Sequence, residues 1–119
     1  MTRDLAEQLA KDDTPLHLLL GNEAIVRGAL EAGINVVTCY PGTPSSEIPD
    51  TFHYLASCGR YRMEYSVNEK VAVEVGAGAA LAGAMSMTTM KHVGVNVAAD
   101  PLFTAAYVGL PGGFVLVSA

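Results

Sequence analysis

Apolar segments of strand length alternate with segments of helical period along this chain, and that alternation limits the fold more than any other feature. "LHLLL" at 16–20 reads as a buried strand. "NEAIVRGALEAG" at 22–33 reads as a helix, with Ile25, Ala29 and Leu30 at helical spacing and Gly33 as its stop. "INVVTCY" is β-branched and apolar, the pattern of a strand buried on both faces. "PGTPSSEIPD" is a loop running into a helix that ends near Leu55. "YRMEYSV" is a third strand, 68–84 a long Ala/Gly helix, "MSMTTM" a fourth strand and "KHVG" a turn. "VNVAADPLFTAAYVG" is mostly helical, with Pro101 near a helix start or kink, and "GGFVLVSA" is the last strand. This order predicts an α/β domain of three layers, with a mainly parallel sheet between helices. Residues 3–12 add a short amphipathic helix, ended before Pro15. The chain stops at Ala119 directly after an apolar strand. It is therefore expected to be part of a longer protein, with the domain truncated at its C-terminus.

Ligands of such sheets lie beyond the carboxyl ends of the strands. That rule selects "GNEA" at 21–24, "YPGTPSS" at 40–46, "KHVGVN" at 91–96 and the start of the 68–84 helix. Ser66 to Glu69 spell S-x-x-E before an apolar helix, the signature of a capping box in which Ser66 caps and Glu69 bonds back to the backbone. Taken locally, that structural reading is favoured. The helix that follows places Glu69, Val73, Gly76, Ala80 and Gly83 on one face, a carboxylate followed by mostly very small side chains. Each interior Gly costs about 1 kcal/mol relative to Ala. Close approach of a flat ligand, another helix or the sheet itself would offset that cost.

In "YPGTPSSE", Pro41 and Pro44 stiffen the loop and Gly42 allows an unusual backbone angle. Thr43, Ser45 and Ser46 offer hydroxyls and backbone donors that suit a carboxylate or phosphate. A plain helix cap by Thr43 or Ser45 explains them equally well. Lys91 and His92 lie in the turn on the presumed ligand edge, whereas His17 and His53 receive no role. "GAGAAL" at 76–81 lies inside a helix and lacks the third Gly of a dinucleotide fingerprint. No GxxxxGK[ST] loop, metal-ligand cluster or Ser-His-Asp spacing stands out.

Half of the 119 residues are hydrophobic and only 16% are charged, against about 25% in an ordinary domain. Some of the surface is thus expected to be covered by a partner or by further chain. The net charge of −5, without a basic cluster, argues against a nucleic-acid partner. Cys39 and Cys58 form no CxxC pair and read as free thiols of a reducing compartment, hence the cytoplasm. The N-terminus lacks the apolar core of a signal peptide. Residues 75–90 are uncharged but too short and too rich in Gly, Ala, Ser and Thr to cross a membrane.

Together, "LLLGNEAIVRGALEAG", "YPGTPSSEI", "YSVNEKVAVEVGAGAALAGA", "TTMKHVGVNVAADPL" and "GGFVLVSA" resemble the alpha-subunit family of the indolepyruvate ferredoxin oxidoreductases, within the wider 2-oxoacid:ferredoxin oxidoreductases. The resemblance runs from about Leu16 to Ala119. It implies a partial pyrimidine-binding domain for thiamine diphosphate over residues 14–119, preceded by a helical extension at 1–13. It also implies that Glu69 is catalytic: it would bond N1′ of the aminopyrimidine and favour the tautomer that deprotonates the thiazolium carbon. A cap by Glu69 and that role exclude each other. By the same resemblance, Tyr40, Pro41, Gly42, Lys91 and His92 would approach the cofactor, and Thr43 and His92 the substrate. Two departures stand out. Gly42 takes a place where wider relatives often carry isoleucine, and the turn is not their Ser-Gly-Pro-Gly.

The implied partners are a second thiamine-binding domain, a small beta subunit, CoA and ferredoxin, in an oligomeric enzyme acting on aryl pyruvates. Mg²⁺ and iron–sulfur clusters would belong to parts of the family protein beyond this sequence, which has no Gly-Asp-Gly motif and no cysteine cluster. Two other readings compete: a noncatalytic module pairing with another chain through the small-residue helix, and, last, a nucleotide-binding α/β domain. By itself the chain is expected to have no oxidoreductase activity.

Overall fold

The computed structural model describes residues 18–57 and 60–119. Helix α1 spans Gly21–Glu31, followed by strand β1, Val36–Cys39, helix α2, Glu47–Leu55, and strand β2, Arg62–Tyr65. Helix α3 is Glu69–Leu81 and strand β3 is Ser86–Met90. Helix α4, Gly94–Val97, and helix α5, Ala99–Val108, lead to strand β4, Phe114–Ser118. The predicted helix at 3–12, the boundary at residue 13, His17 and Cys58 lie outside the described residues.

The strands form one fully parallel sheet in the order β2-β1-β3-β4. Val36 pairs with Arg62 on one side and Ser86 on the other, and Ser86 pairs with Phe114. Helices α1 and α2 cover one face, where Val26, Ala29, Ile48, Phe52 and Leu55 pack with Val37 and Met87. Helices α3, α4 and α5 take the other, where Val73, Met90 and Ala98 meet Phe114 and Leu116. The α/β class and the parallel sheet are therefore as the sequence predicts. Gly33 is also confirmed as a stop: its φ is +76°, and Ile34 N–H reaches back to Ala29 at 3.1 Å.

One predicted strand does not form among the described residues. Residues 18–20 are irregular, so the sheet has four strands among the described residues rather than five. Leu20 is the N-cap position of α1, and its N–H donates to Glu23 Oε2 at 2.8 Å instead of to a ladder. Leu18 and Leu20 are 100% and 63% exposed. A short apolar run does not by its pattern distinguish a strand from a helix lead-in.

The small-residue face of α3 has a plain structural use. A Cβ on Gly76 would come within 2.5 Å of Thr88 Oγ1 and 3.1 Å of Phe114, so the glycine lets α3 lie directly on β1 and β3. Gly83 is beyond the helix, at φ +89°, and ends it. Buried hydroxyls fix the contact. Thr38 Oγ1 donates to Ala72 O at 2.7 Å and is 2.7 Å from Thr88 Oγ1, while Ser86 Oγ donates to Gly76 O at 2.8 Å.

Candidate functional site

Strands β1 and β3 are neighbours, yet the chain leaves them toward opposite faces: β1 leads to α2, and β3 to α4 and α5. The ligand edge of such a sheet is expected where two such exits diverge, and here the loop 40–46 and the turn 91–93 meet at that point. The ladders run on past the strand ends: Tyr40 N–H donates to Thr89 O, Ser66 N–H to Cys39 O, and His92 N–H to Ala119 O.

Glu69 is the first residue of α3, and the predicted capping box does not form. Asn68 is the cap: its Oδ1 accepts from Val71 N–H at 2.9 Å. Ser66 Oγ lies instead 3.5 Å from Glu64 Oε1. Asn68 has the shorter reach to the orphan amide, so it takes the cap and leaves the glutamate free of it. Among the described residues the half-buried Glu69 carboxylate has no hydrogen bond and no ion pair. It rests on Gly94, where a Cβ would lie 2.5 Å from Glu69 Cγ and 2.8 Å from Cδ. The side chain is held by contact while its oxygens keep their bonding capacity. That is the condition in which a carboxyl can serve a ligand nitrogen.

The loop 40–46 is built from its own backbone. Ser45 and Ser46 N–H both donate to Gly42 O, at 2.9 and 3.1 Å, and Ser45 Oγ does so at 2.8 Å. Neither Thr43 nor Ser45 caps α2, whose N-cap position is Ser46 without a side-chain bond. The cap reading of these two residues is thus corrected, and the two serine amides are spent inside the loop. Thr43 is exposed, precedes a cis bond to Pro44, and has no hydrogen bond among the described residues. Asn22 ties the start of α1 to this loop: its amide donates to Pro44 O at 3.0 Å and Glu47 Oε2 at 2.7 Å. Gly42 packs against Lys91, with Lys91 Cβ 2.8 Å from where a glycine Cβ would be. Lys91 O in turn accepts from Gly94 N–H at 2.9 Å.

A continuous path of contact therefore joins Gly42, Lys91, Gly94 and Glu69. Tyr40, Pro41 and Thr43 flank it on the loop, and the exposed His92 on the turn. Asn68 and Gly94 shape this geometry. The cap at Asn68 was hidden by the stronger S-x-x-E pattern. Gly94 falls within the selected 91–96 loop, but its contact with Glu69 is tertiary and leaves no local signal.

Other polar groups lie apart from the path. Burial, with Asp50 nearby, pushes the Cys39 thiol up to about 12. Tyr65 is raised by burial and by its hydrogen bond to Asp50, 2.8 Å away. Thr89 Oγ1, next to the end of β3, is buried without a partner among the described residues. A cavity of about 290 Å³ between α3 and α5, floored by Ala77, Gly78, Thr104 and Ala105, shares no residue with the path. Among the described residues no group of three His, Cys, Asp or Glu could hold a metal, and no helix is long and apolar enough to cross a membrane.

A family model described as "Pyruvate flavodoxin/ferredoxin oxidoreductase, thiamine diP-bdg" matches residues 27–118. The chain is 67% identical over 105 residues to the indolepyruvate oxidoreductase subunit IorA of Archaeoglobus fulgidus, covering 85% of this chain and 17% of that one. It is 59% identical over 102 residues to the subunit of the same name from Pyrococcus abyssi, covering 86% and 16%. With the 2-oxoglutarate synthase subunit KorA of Archaeoglobus fulgidus it shares 35% over 97 residues, 81% of this chain and 28% of that one. A 2-oxoglutarate:ferredoxin oxidoreductase structure from Magnetococcus marinus has the same fold, with a TM-score of 0.76 at 24% identity over 91% of this chain and 19% of that chain. The chain thus spans about a sixth of the length of the indolepyruvate oxidoreductase subunits it matches.

Proposed function

Because the chain belongs to the thiamine diphosphate-binding family of the pyruvate flavodoxin/ferredoxin oxidoreductases, we propose that it is the pyrimidine-side domain of an enzyme that oxidises aryl pyruvates. The complete enzyme would convert indolepyruvate, CoA and two oxidised ferredoxins to the arylacetyl-CoA, carbon dioxide, a proton and two reduced ferredoxins. Residues 14–119 would form the domain, and residues 1–13 an extension before it. A second thiamine-binding domain with Mg²⁺, iron–sulfur clusters and a small beta subunit would complete the assembly.

The observation that carries this reading is the state of Glu69. Its carboxylate lies at the carboxyl end of the sheet, seated on Gly94, with the capping duty taken by Asn68. A group without a structural partner, at the ligand end of the sheet, fits an aminopyrimidine nitrogen. Thiamine diphosphate, when bound, supplies a carbon nucleophile and an electron sink for loss of carbon dioxide from a 2-oxo acid. Glu69 would hold a proton at the ring nitrogen, the role in which a fixed acid contributes about 10²–10⁴ in rate. Tyr40, Pro41, Gly42, Lys91 and His92 would line the cofactor, and Thr43 and His92 the substrate. The aryl preference rests on higher identity to subunits named for indolepyruvate than to the one named for 2-oxoglutarate.

The test is Glu69→Gln in the complete oxidoreductase that carries this segment. Indolepyruvate-dependent ferredoxin reduction should fall by at least about a hundredfold, with the unfolding midpoint unchanged. A noncatalytic module predicts wild-type turnover in the same variant. The helix face that such a module would use for pairing is occupied in part, since Ala72, Val73, Gly76 and Ala80 are buried against the sheet.

A further inference from the structure

We propose that Lys91 is the counter-ion for the carboxylate of the 2-oxo acid, and that Gly42 is the notch that seats it; this rests on the functional reading above. The stem of Lys91 runs along Gly42: its Cβ, Cδ and Cγ lie 2.8, 3.5 and 3.7 Å from the point a Cβ on Gly42 would occupy. Any side chain there would displace the first methylene, which is anchored to the backbone and has little freedom to retreat. With its stem seated, the lysine loses less rotamer freedom on meeting an anion.

The charge it carries is available. Among the described residues Lys91 makes no ion pair. Lys70, the other lysine close to this end of the sheet, is committed to Asp100 at 2.7 Å and to Glu74 at 3.9 Å. A substrate carboxylate entering beside Glu69 needs a compensating cation, in a chain whose net charge is −5. The neighbouring loop has less to offer than its composition promises. The amides of Ser45 and Ser46 and the hydroxyl of Ser45 all donate to Gly42 O, which leaves the hydroxyls of Thr43 and Ser46 as the accompanying donors of this loop. Lys91 also stands on the same turn as the seat of Glu69, through the hydrogen bond from Gly94 N–H to Lys91 O. One short turn thereby sets the distance between the group that receives the carboxylate and the group that serves the cofactor.

The experiment uses the complete oxidoreductase and two non-reacting probes, indolelactate and its uncharged methyl amide. Lys91→Met should raise the Kd of indolelactate and the KM of indolepyruvate by roughly ten- to a hundredfold, the range for one lost charge-assisted bond. The methyl amide should bind as before. Lys91→Arg should retain most of the discrimination, and Gly42→Ile should reproduce the loss by unseating the stem. Equal weakening of acid and amide in Lys91→Met, or no weakening of either, overturns the inference. A wild-type enzyme that reduces no ferredoxin with any 2-oxo acid overturns the functional reading instead.

Discussion

At Glu69 one residue spacing admitted two uses, and a neighbour decided between them. Asn68 caps α3 through Val71 N–H, so the carboxylate next to it is not consumed by the backbone. Asn68→Ala should lower stability by about 1 kcal/mol, the usual worth of such a cap, and Asn68→Asp should restore it; chemical denaturation of the complete protein checks both. Gly94→Ala places a methyl group on the Glu69 side chain. It should lower turnover nearly as far as Glu69→Gln while leaving cofactor affinity within about threefold, since the diphosphate would be gripped by another domain; fluorescence titration with thiamine diphosphate separates the two effects. Cys39 offers a pH test. Its thiol is raised to about 12 from 9.0 by burial, so the folded state keeps a proton that the unfolded state releases. The stabilising contribution is complete below about pH 9 and is lost as pH rises toward 12. Native protein should accordingly leave Cys39 unmodified by a thiol reagent at pH 8, and denatured protein should expose it.

The contact between α3 and the sheet rests on small side chains and hydroxyls. Gly76→Ala would push a methyl onto Thr88 Oγ1 and toward Phe114 and Thr38, and should destabilise the protein by about 1–3 kcal/mol through overpacking. Thr38→Val and Thr88→Val should be strongly non-additive, because the two hydroxyls share Ala72 O; a double-mutant cycle by denaturation measures the coupling. This level was also where the sequence was most and least legible. "INVVTCY" and "MSMTTM" declared themselves as strands because β-branched and apolar residues suit a sheet covered on both sides. The described end of "LHLLL", residues 18–20, misled, because apolar content alone does not say whether a run pairs with a strand or leads into α1. Gly76 was visible as a costly helix glycine, but what it approached, Thr88 on β3, was set by the packing of α3 on the sheet. Lys91 against Gly42 and Gly94 against Glu69 could not be read at all, since the first joins two loops that only the strand order β1-β3 brings together and the second joins the starts of α3 and α4.

For the molecule as a whole, the described residues hold one sheet and two packed faces, with Gly42, Lys91, Gly94 and Glu69 in contact at its carboxyl end. Phe103 and Tyr107 on α5 are 77% and 93% exposed, as fits a chain that spans about a sixth of the subunits it matches. The isolated 119 residues should show no 2-oxoacid-dependent ferredoxin reduction, whereas the complete oxidoreductase should. The most direct measurement is proton exchange at the thiazolium C2 of thiamine diphosphate bound to the complete protein, followed by NMR after dilution into D₂O. Exchange should be rapid in the wild type and at least about a hundredfold slower in Glu69→Gln with the cofactor still bound. Equal exchange rates in the two proteins would contradict the assignment of Glu69 and the functional reading built on it.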